Sequence, residues 1–147
     1  MIDYKLICAQ LKALAEADNN PIGLLANAAA LLKEASGWHW VGFYMVNGNI
    51  LRLGPFQGPL ACMRIPYGKG VCGTAWQQGH TLVVPDVEKF PGHIACSALS
   101  RSEIVVPIFA NGAVVAVLDV DSVEQDSFSE DDRIGLEAIC AILGPNI

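Results

Sequence analysis

Two Asn-Gly dipeptides, Asn47-Gly48 and Asn111-Gly112, constrain the fold of this chain more than any other feature. Each lies between runs rich in β-branched and aromatic residues. WHWVGFYMV (38–46) and ILRL (50–53) flank the first, EIVVPIFA (103–110) and AVVAVLDV (113–120) the second. Both central residues of a type I′ turn need positive φ, and Asn-Gly is the pair that adopts it most readily, so two antiparallel hairpins are predicted.

Helices are predicted on either side of these hairpins. Leu6, Ile7, Leu11, Leu14 and Ala15 recur at helical spacing until Asp18-Asn19-Asn20-Pro21 interrupts the pattern. A second helix follows through Leu24, Leu25, Ala28, Leu31 and Leu32 and ends near Gly37, a residue suited to a helix terminus. The Gly- and Pro-rich centre, residues 54–102, carries LACMRIP (60–66) as a strand, GVCGTAWQQ (70–78) as a short helix and TLVVP (81–85) as a strand. Ser129, followed by Glu130, Asp131 and Asp132, is an N-cap with acids in the first turn, opening a helix through Ile139. Hairpin-connected strands with helices at the chain ends indicate an α+β fold. No repeat or linker interrupts the 147 residues, so one domain spanning 1–147 is expected. A chain of this length buries roughly 70% of its unfolded surface and folds without a metal or disulfide staple.

Charge narrows the function classes. The formal net charge is −6, with only 9 Lys plus Arg and no basic run. Nucleic-acid binding and attachment to anionic membranes both need Lys/Arg clusters, so neither partner is expected. No apolar run approaches the roughly 20 residues that span a bilayer. MIDYKLICAQ lacks the basic and apolar regions of a secretory signal, and a cytoplasmic protein is expected.

Five cysteines in such a chain are buried small hydrophobes or chemistry, not permanent staples. Cys8 and Cys140 sit at core-like positions of apolar helical stretches and are expected to be structural. Cys62, Cys72 and Cys96 lie in polar, Gly- and Pro-containing surroundings, where spacing alone leaves reactive and inert readings open. Cys62, Cys72, His93 and Cys96 offer zinc-ligand types, but the usual Cys-x₂₋₄-Cys knuckle is absent and no metal site is expected. Asp119 and Asp121 are two apart, so a continuing strand points both to one face, where they need a cation or a shared proton. If the strand ends at Leu118 instead, both are simply solvated. Trp40 and Tyr44 likewise share a face. They are core, or with Gly42 between them they wall a pocket.

The segments WHWVGFYMV, LGPFQGPLACMRIPYGKGVCGTA, VPDVEKFPGHIACSALSRSEIVVPI and AVLDVDS together resemble the free methionine-(R)-sulfoxide reductase family, in order and spacing, from about Leu24 through the final helix. The resemblance implies a GAF domain, an antiparallel six-stranded sheet flanked by helices. It implies that Cys96 is the nucleophile, Cys62 the resolving cysteine and Cys72 a third cysteine able to join disulfide exchange. Glu103, Asp119 and Asp121 match the acidic residues of the substrate pocket, and Trp40 and Tyr44 its aromatic wall. Met63 departs from the family pattern, in which a smaller apolar residue is common.

The implied reaction reduces free methionine-(R)-sulfoxide. Attack by Cys96 leaves a sulfenic acid, Cys62 condenses with it to a disulfide, and thioredoxin or a similar dithiol restores both thiols. Glu103, held protonated by nearby carboxylates, would donate to the sulfoxide oxygen, and Asp119 and Asp121 would pair with the substrate ammonium. No cofactor is expected, because the electrons come through thiols. The preference for the R epimer, and pairing of two copies through their helices, are implied by the resemblance alone. The rival reading is a GAF small-molecule sensor without catalysis.

Overall fold

A computed structural model describes all 147 residues. The chain runs α1 (Tyr4–Ala17), α2 (Pro21–Ser36), β1 (Trp40–Asn47), β2 (Ile50–Gln57), β3 (Arg64–Pro66), α3 (Gly70–Gln78), β4 (Leu82–Val84), β5 (Ser102–Ala110), β6 (Ala113–Ser122) and α4 (Glu130–Leu143). Short 3₁₀ turns at Val87–Lys89 and Gly144–Asn146 complete it. The six strands form one antiparallel sheet in the order β3-β2-β1-β6-β5-β4. The α+β architecture expected from the sequence is the one observed.

The two hairpins turn differently. At the second, Ala110 pairs with Ala113, leaving Asn111 and Gly112 as central residues with φ of 53° and 78°, the type I′ pattern. At the first, Asn47 is already paired with Ile50, so the central residues are Gly48 and Asn49 and only Gly48 has positive φ. That is the type II′ pattern, in which glycine occupies the first central position.

Alternation along the strands sends side chains to two faces. Val41, Phe43, Ile104, Val106, Ile108, Ala116, Leu118 and Val120 pack with α1, α2 and α4 in one core. The expected helical faces are largely right, but α1 buries Ile7 and Leu11 while leaving Leu6 and Leu14 exposed. Ser129 caps α4 with a full capping box: its hydroxyl accepts from Asp132 N, and Asp132 Oδ2 accepts from Ser129 N. The Tyr4 hydroxyl donates to Asp132 Oδ1 at 2.7 Å, tying α1 to α4.

The opposite face carries a second, smaller core of Trp40, Tyr44, Leu51, Ile65, Val71, Cys72, Ala75, Val105 and Val117, covered by α3 and the long central loops. Residues 60–66 were expected as one strand, yet only Arg64–Pro66 pair with β2. In the preceding stretch, carbonyl acceptors are taken by side chains of β1. Trp40 Nε1 donates to Pro59 O at 3.1 Å and Tyr44 OH to Cys62 O at 2.9 Å. The chain therefore lifts off the sheet edge and arches over this second face.

Candidate active site

Register builds the site. On neighbouring strands Asp121 stands opposite both Trp40 and Glu103, and Asp119 opposite both Gly42 and Val105. Because side chains alternate, Trp40, Tyr44, Glu103, Asp119 and Asp121 all project to the face that α3 covers. The strand does not end at Leu118: β6 continues to Ser122, which turns the two aspartates inward instead of leaving them solvated.

The five residues line one cavity of about 30 Å³, closed by the first turn of α3 and by the segment around residues 93–100. Cys72 and Cys96 line it too, as do His93, Ser97 and Ser100, whereas Cys62 does not. Cys62 is joined to Cys96 by a disulfide, with Cα atoms 5.4 Å apart. Cys72, Cys8 and Cys140 are free thiols. Cys140 is buried as expected, but Cys8 is only half-buried, since α1 turns that edge toward solvent.

Trp40 and Tyr44 serve as both core and wall. Each is nearly fully buried, their rings stack 5.9 Å apart, and Trp40 also stacks on Phe56 at 5.2 Å. Gly42 does remove bulk beside them, but the space is not left open. A Cβ there would lie 2.6 Å from the Trp40 ring and 2.3 Å from Phe56 Cβ, so the indole folds over the glycine and the cavity lies beyond it.

The acids are held in an unfavourable environment. Glu103 is 5% and Asp119 6% exposed, and neither they nor Asp121 has a Lys or Arg within 4.0 Å. Burial above all, then the charge of Asp121, pushes the Glu103 carboxyl up to about 8. The largest contribution is thus burial rather than the neighbouring carboxylates invoked from sequence. Burial and Glu103 raise Asp119 well above the usual carboxylate range, and burial with Asp119 does the same to Asp121. Burial, followed by Asp119 and Glu103, keeps the Cys72 thiol protonated. Asp119 Oδ1 is buried without a hydrogen-bond partner. A cavity floored by three crowded carboxyl groups, one of them missing a donor, is built to receive a cation with N–H donors.

His93 Nε2 lies 3.6 Å from Glu103 Oε1, and burial lowers the imidazole pKa. The sequence offers His93 only as a metal-ligand type beside Cys96. Its neighbour in space is Glu103, ten residues on, and nothing local in the sequence signals that pairing. His39 Nε2 and Ser97 Oγ, 3.2 Å apart, fasten the Cys96 segment to the start of β1, another contact without a sequence signal. Of the four zinc-type residues offered by the sequence, Cys72, His93 and Cys96 line the cavity, but Cys62 and Cys96 are bonded to each other and offer no thiolate.

Comparison with known proteins agrees with this architecture. The GAF domain family matches residues 20–147. GAF domain-containing protein A of Dictyostelium discoideum is 55% identical over 141 residues, 95% of this chain and 89% of that protein. The free methionine-R-sulfoxide reductase of Escherichia coli is 44% identical over 141 residues, 95% of this chain and 86% of that protein. The X-ray structure of free methionine-R-sulfoxide reductase from Neisseria meningitidis in complex with its substrate superposes with a TM-score of 0.94. It shares 50% identity and covers 97% of this chain and 87% of that one.

Proposed function

The chain belongs to the GAF domain family and, within it, to the free methionine-R-sulfoxide reductases, which are oxidoreductases; from that premise we propose that it reduces free methionine-(R)-sulfoxide through Cys96 and Cys62. The observation that carries the reading is that Cys96 lines an acid-floored cavity while bonded to Cys62, which stands outside it.

In the reduced chain, Asp119 and Asp121 hold the ammonium group of the amino acid, and Asp119 Oδ1 gains the donor it lacks. Trp40 and Tyr44 flank the methylthio end. Glu103, protonated at neutral pH, donates to the sulfoxide oxygen as negative charge builds there. The Cys96 thiolate displaces methionine and keeps the oxygen as a sulfenic acid. The Cys62 thiol then attacks that sulfur, the S–O bond breaks, and water leaves as the disulfide forms. Two electrons pass from the thiols to the sulfoxide.

A dithiol of the thioredoxin type returns both cysteines to thiols by exchange. The nucleophile exists only as a thiolate, so reduction of the Cys62–Cys96 disulfide must precede each turnover. Cys72, a free thiol buried on α3 that lines the same cavity as Cys96, is the third cysteine of the exchange. A closed cavity with paired acids suits a free amino acid and excludes a polypeptide, whose methionine has no ammonium.

Residues 1–147 are read as one domain, because Ile7 and Leu11, which precede the matched region, are buried in the same core as Leu136 and Ile139. No helix is long and apolar enough to cross a membrane. A cytoplasmic location goes with the reading, since dithiol reductants are maintained there. Exposed Leu6, Leu14 and Ile22 on α1 and α2 support pairing of two copies through their helices.

The test is an assay of both sulfoxide epimers, free and peptide-bound, with thioredoxin and its reductase. Turnover confined to the free R epimer is expected. A thiol titration accompanies it: one equivalent of substrate should lower the thiol count of the reduced chain by two. A non-catalytic sensor leaves that count unchanged, which would overturn the proposal.

A further inference from the structure

We propose that the acid cavity is also a binding site for a zinc ion, held by Cys72, His93, Glu103 and Asp119. The four side chains come from separate parts of the fold: α3, the segment before Cys96, β5 and β6. Donor atoms of Cys72, Glu103 and Asp119 all lie within 4.8 Å of one another. Cys72 Sγ is 4.0 Å from Glu103 Oε2, and His93 Nε2 is 3.6 Å from Glu103 Oε1.

Tetrahedral zinc has bonds of about 2.3 Å to sulfur and about 2.0–2.1 Å to nitrogen or oxygen, which sets its ligands roughly 3.3–3.6 Å apart. For Cys72, Glu103 and Asp119 side-chain movements of about 1 Å reach that geometry, and His93, which stands against Glu103, completes the set by a larger swing of its ring. A cavity of about 30 Å³ has room for one ion and a water.

A separate observation points to a ligand. Asp119 Oδ1 is fully buried, has no hydrogen-bond partner and belongs to a group of acids with no Lys or Arg in reach. An orphaned buried carboxylate oxygen is costly, and a cation removes the cost. The donor set then decides which cation. Magnesium and calcium take oxygen ligands and high coordination numbers, whereas a thiolate and an imidazole beside two carboxylates select zinc.

The site is not a structural zinc. Both cores of the sheet are apolar and packed without it, and the same acids face the cavity assigned above to the amino acid. Bound zinc therefore excludes substrate, making this a reversible inhibitory site. That consequence rests on the proposed function, while the binding itself does not.

The disulfide form of the full chain isolates the site, because Cys62 and Cys96 cannot ligate there. Cobalt(II) is titrated into it, and the thiolate-to-cobalt charge-transfer band is followed in the near ultraviolet. One equivalent should produce the band, zinc should abolish it, and Cys72→Ser should remove it, while Cys8→Ala and Cys140→Ala should not. Glu103→Gln, isosteric and expected to fold, should weaken zinc binding at least about tenfold, measured by equilibrium dialysis. No band, or one that survives Cys72→Ser, overturns the proposal. No substrate or reductant enters this measurement, so absent sulfoxide turnover would count against the functional reading alone.

Discussion

Replacing Glu103 by Gln should make this protein more stable while stopping its chemistry, and the gain should depend on pH. Glu103 is 5% exposed, and its carboxyl is pushed from 4.5 up to about 8. Between those values the folded chain carries a proton at this position and the unfolded chain does not. Rising pH therefore favours unfolding, at up to about 1.4 kcal/mol per pH unit. Over the whole interval the penalty reaches about 5 kcal/mol, fully developed once pH exceeds about 8. Gln has the same shape, keeps hydrogen-bonding capacity and titrates nowhere, so the variant escapes the penalty. Relaxation of the loops and entry of water reduce the gain, and at least about 2 kcal/mol should survive. For 147 residues that is roughly 6 °C in Tm. The assay compares urea unfolding of both chains, with the Cys62–Cys96 disulfide intact, at about pH 5 and about pH 8. The stability difference should widen with pH, and differences between the chains that do not depend on pH cancel. Parallel pH curves for the two chains would refute the argument that Glu103 is held neutral by its surroundings.

Four further outcomes follow from the same geometry. Cys96→Ser should lower turnover of free methionine-(R)-sulfoxide by about 10³-fold or more, measured with excess dithiol, since no other sulfur both lines the cavity and pairs with Cys62. Cys62→Ser should release about one methionine per chain in a single-turnover experiment without reductant and then stop, whereas unimpaired turnover would move the resolving role to Cys72. Asp121→Asn should raise KM for the free amino acid by about 10–100-fold with a smaller change in kcat, because the lost contact is charge-assisted and present before the chemical step. The kcat profile should fall as pH rises through about 8, where Glu103 loses the proton it donates. A profile still flat about one unit above that would assign the proton to another group.

What could be read from the chain was what short range decides. The Asn111-Gly112 turn, the Ser129 cap and the α3 segment each depend on residues within one turn or one strand pair, and all three stand where the pattern put them. The Asn47-Gly48 turn slipped by one residue because pairing with β2 and β6 outranks the local preference for a type I′ turn. The acids at 119 and 121 could not be decided locally. Whether a strand-end aspartate is solvated or buried depends on partners such as Trp40 and Glu103, far away in sequence, and on a loop that arches over the face. Apolar alternation along β6 is violated at those two positions, and the fold tolerates the violation at a cost visible in raised carboxyl pKa values and an orphaned oxygen. A chain selected only for stability would place Val or Leu there, as it does at Val117. Acids retained on a covered face, one of them with an unpartnered oxygen, are understandable if a cationic ligand supplies the missing donor, so the misfit between local pattern and burial is itself the mark of the site.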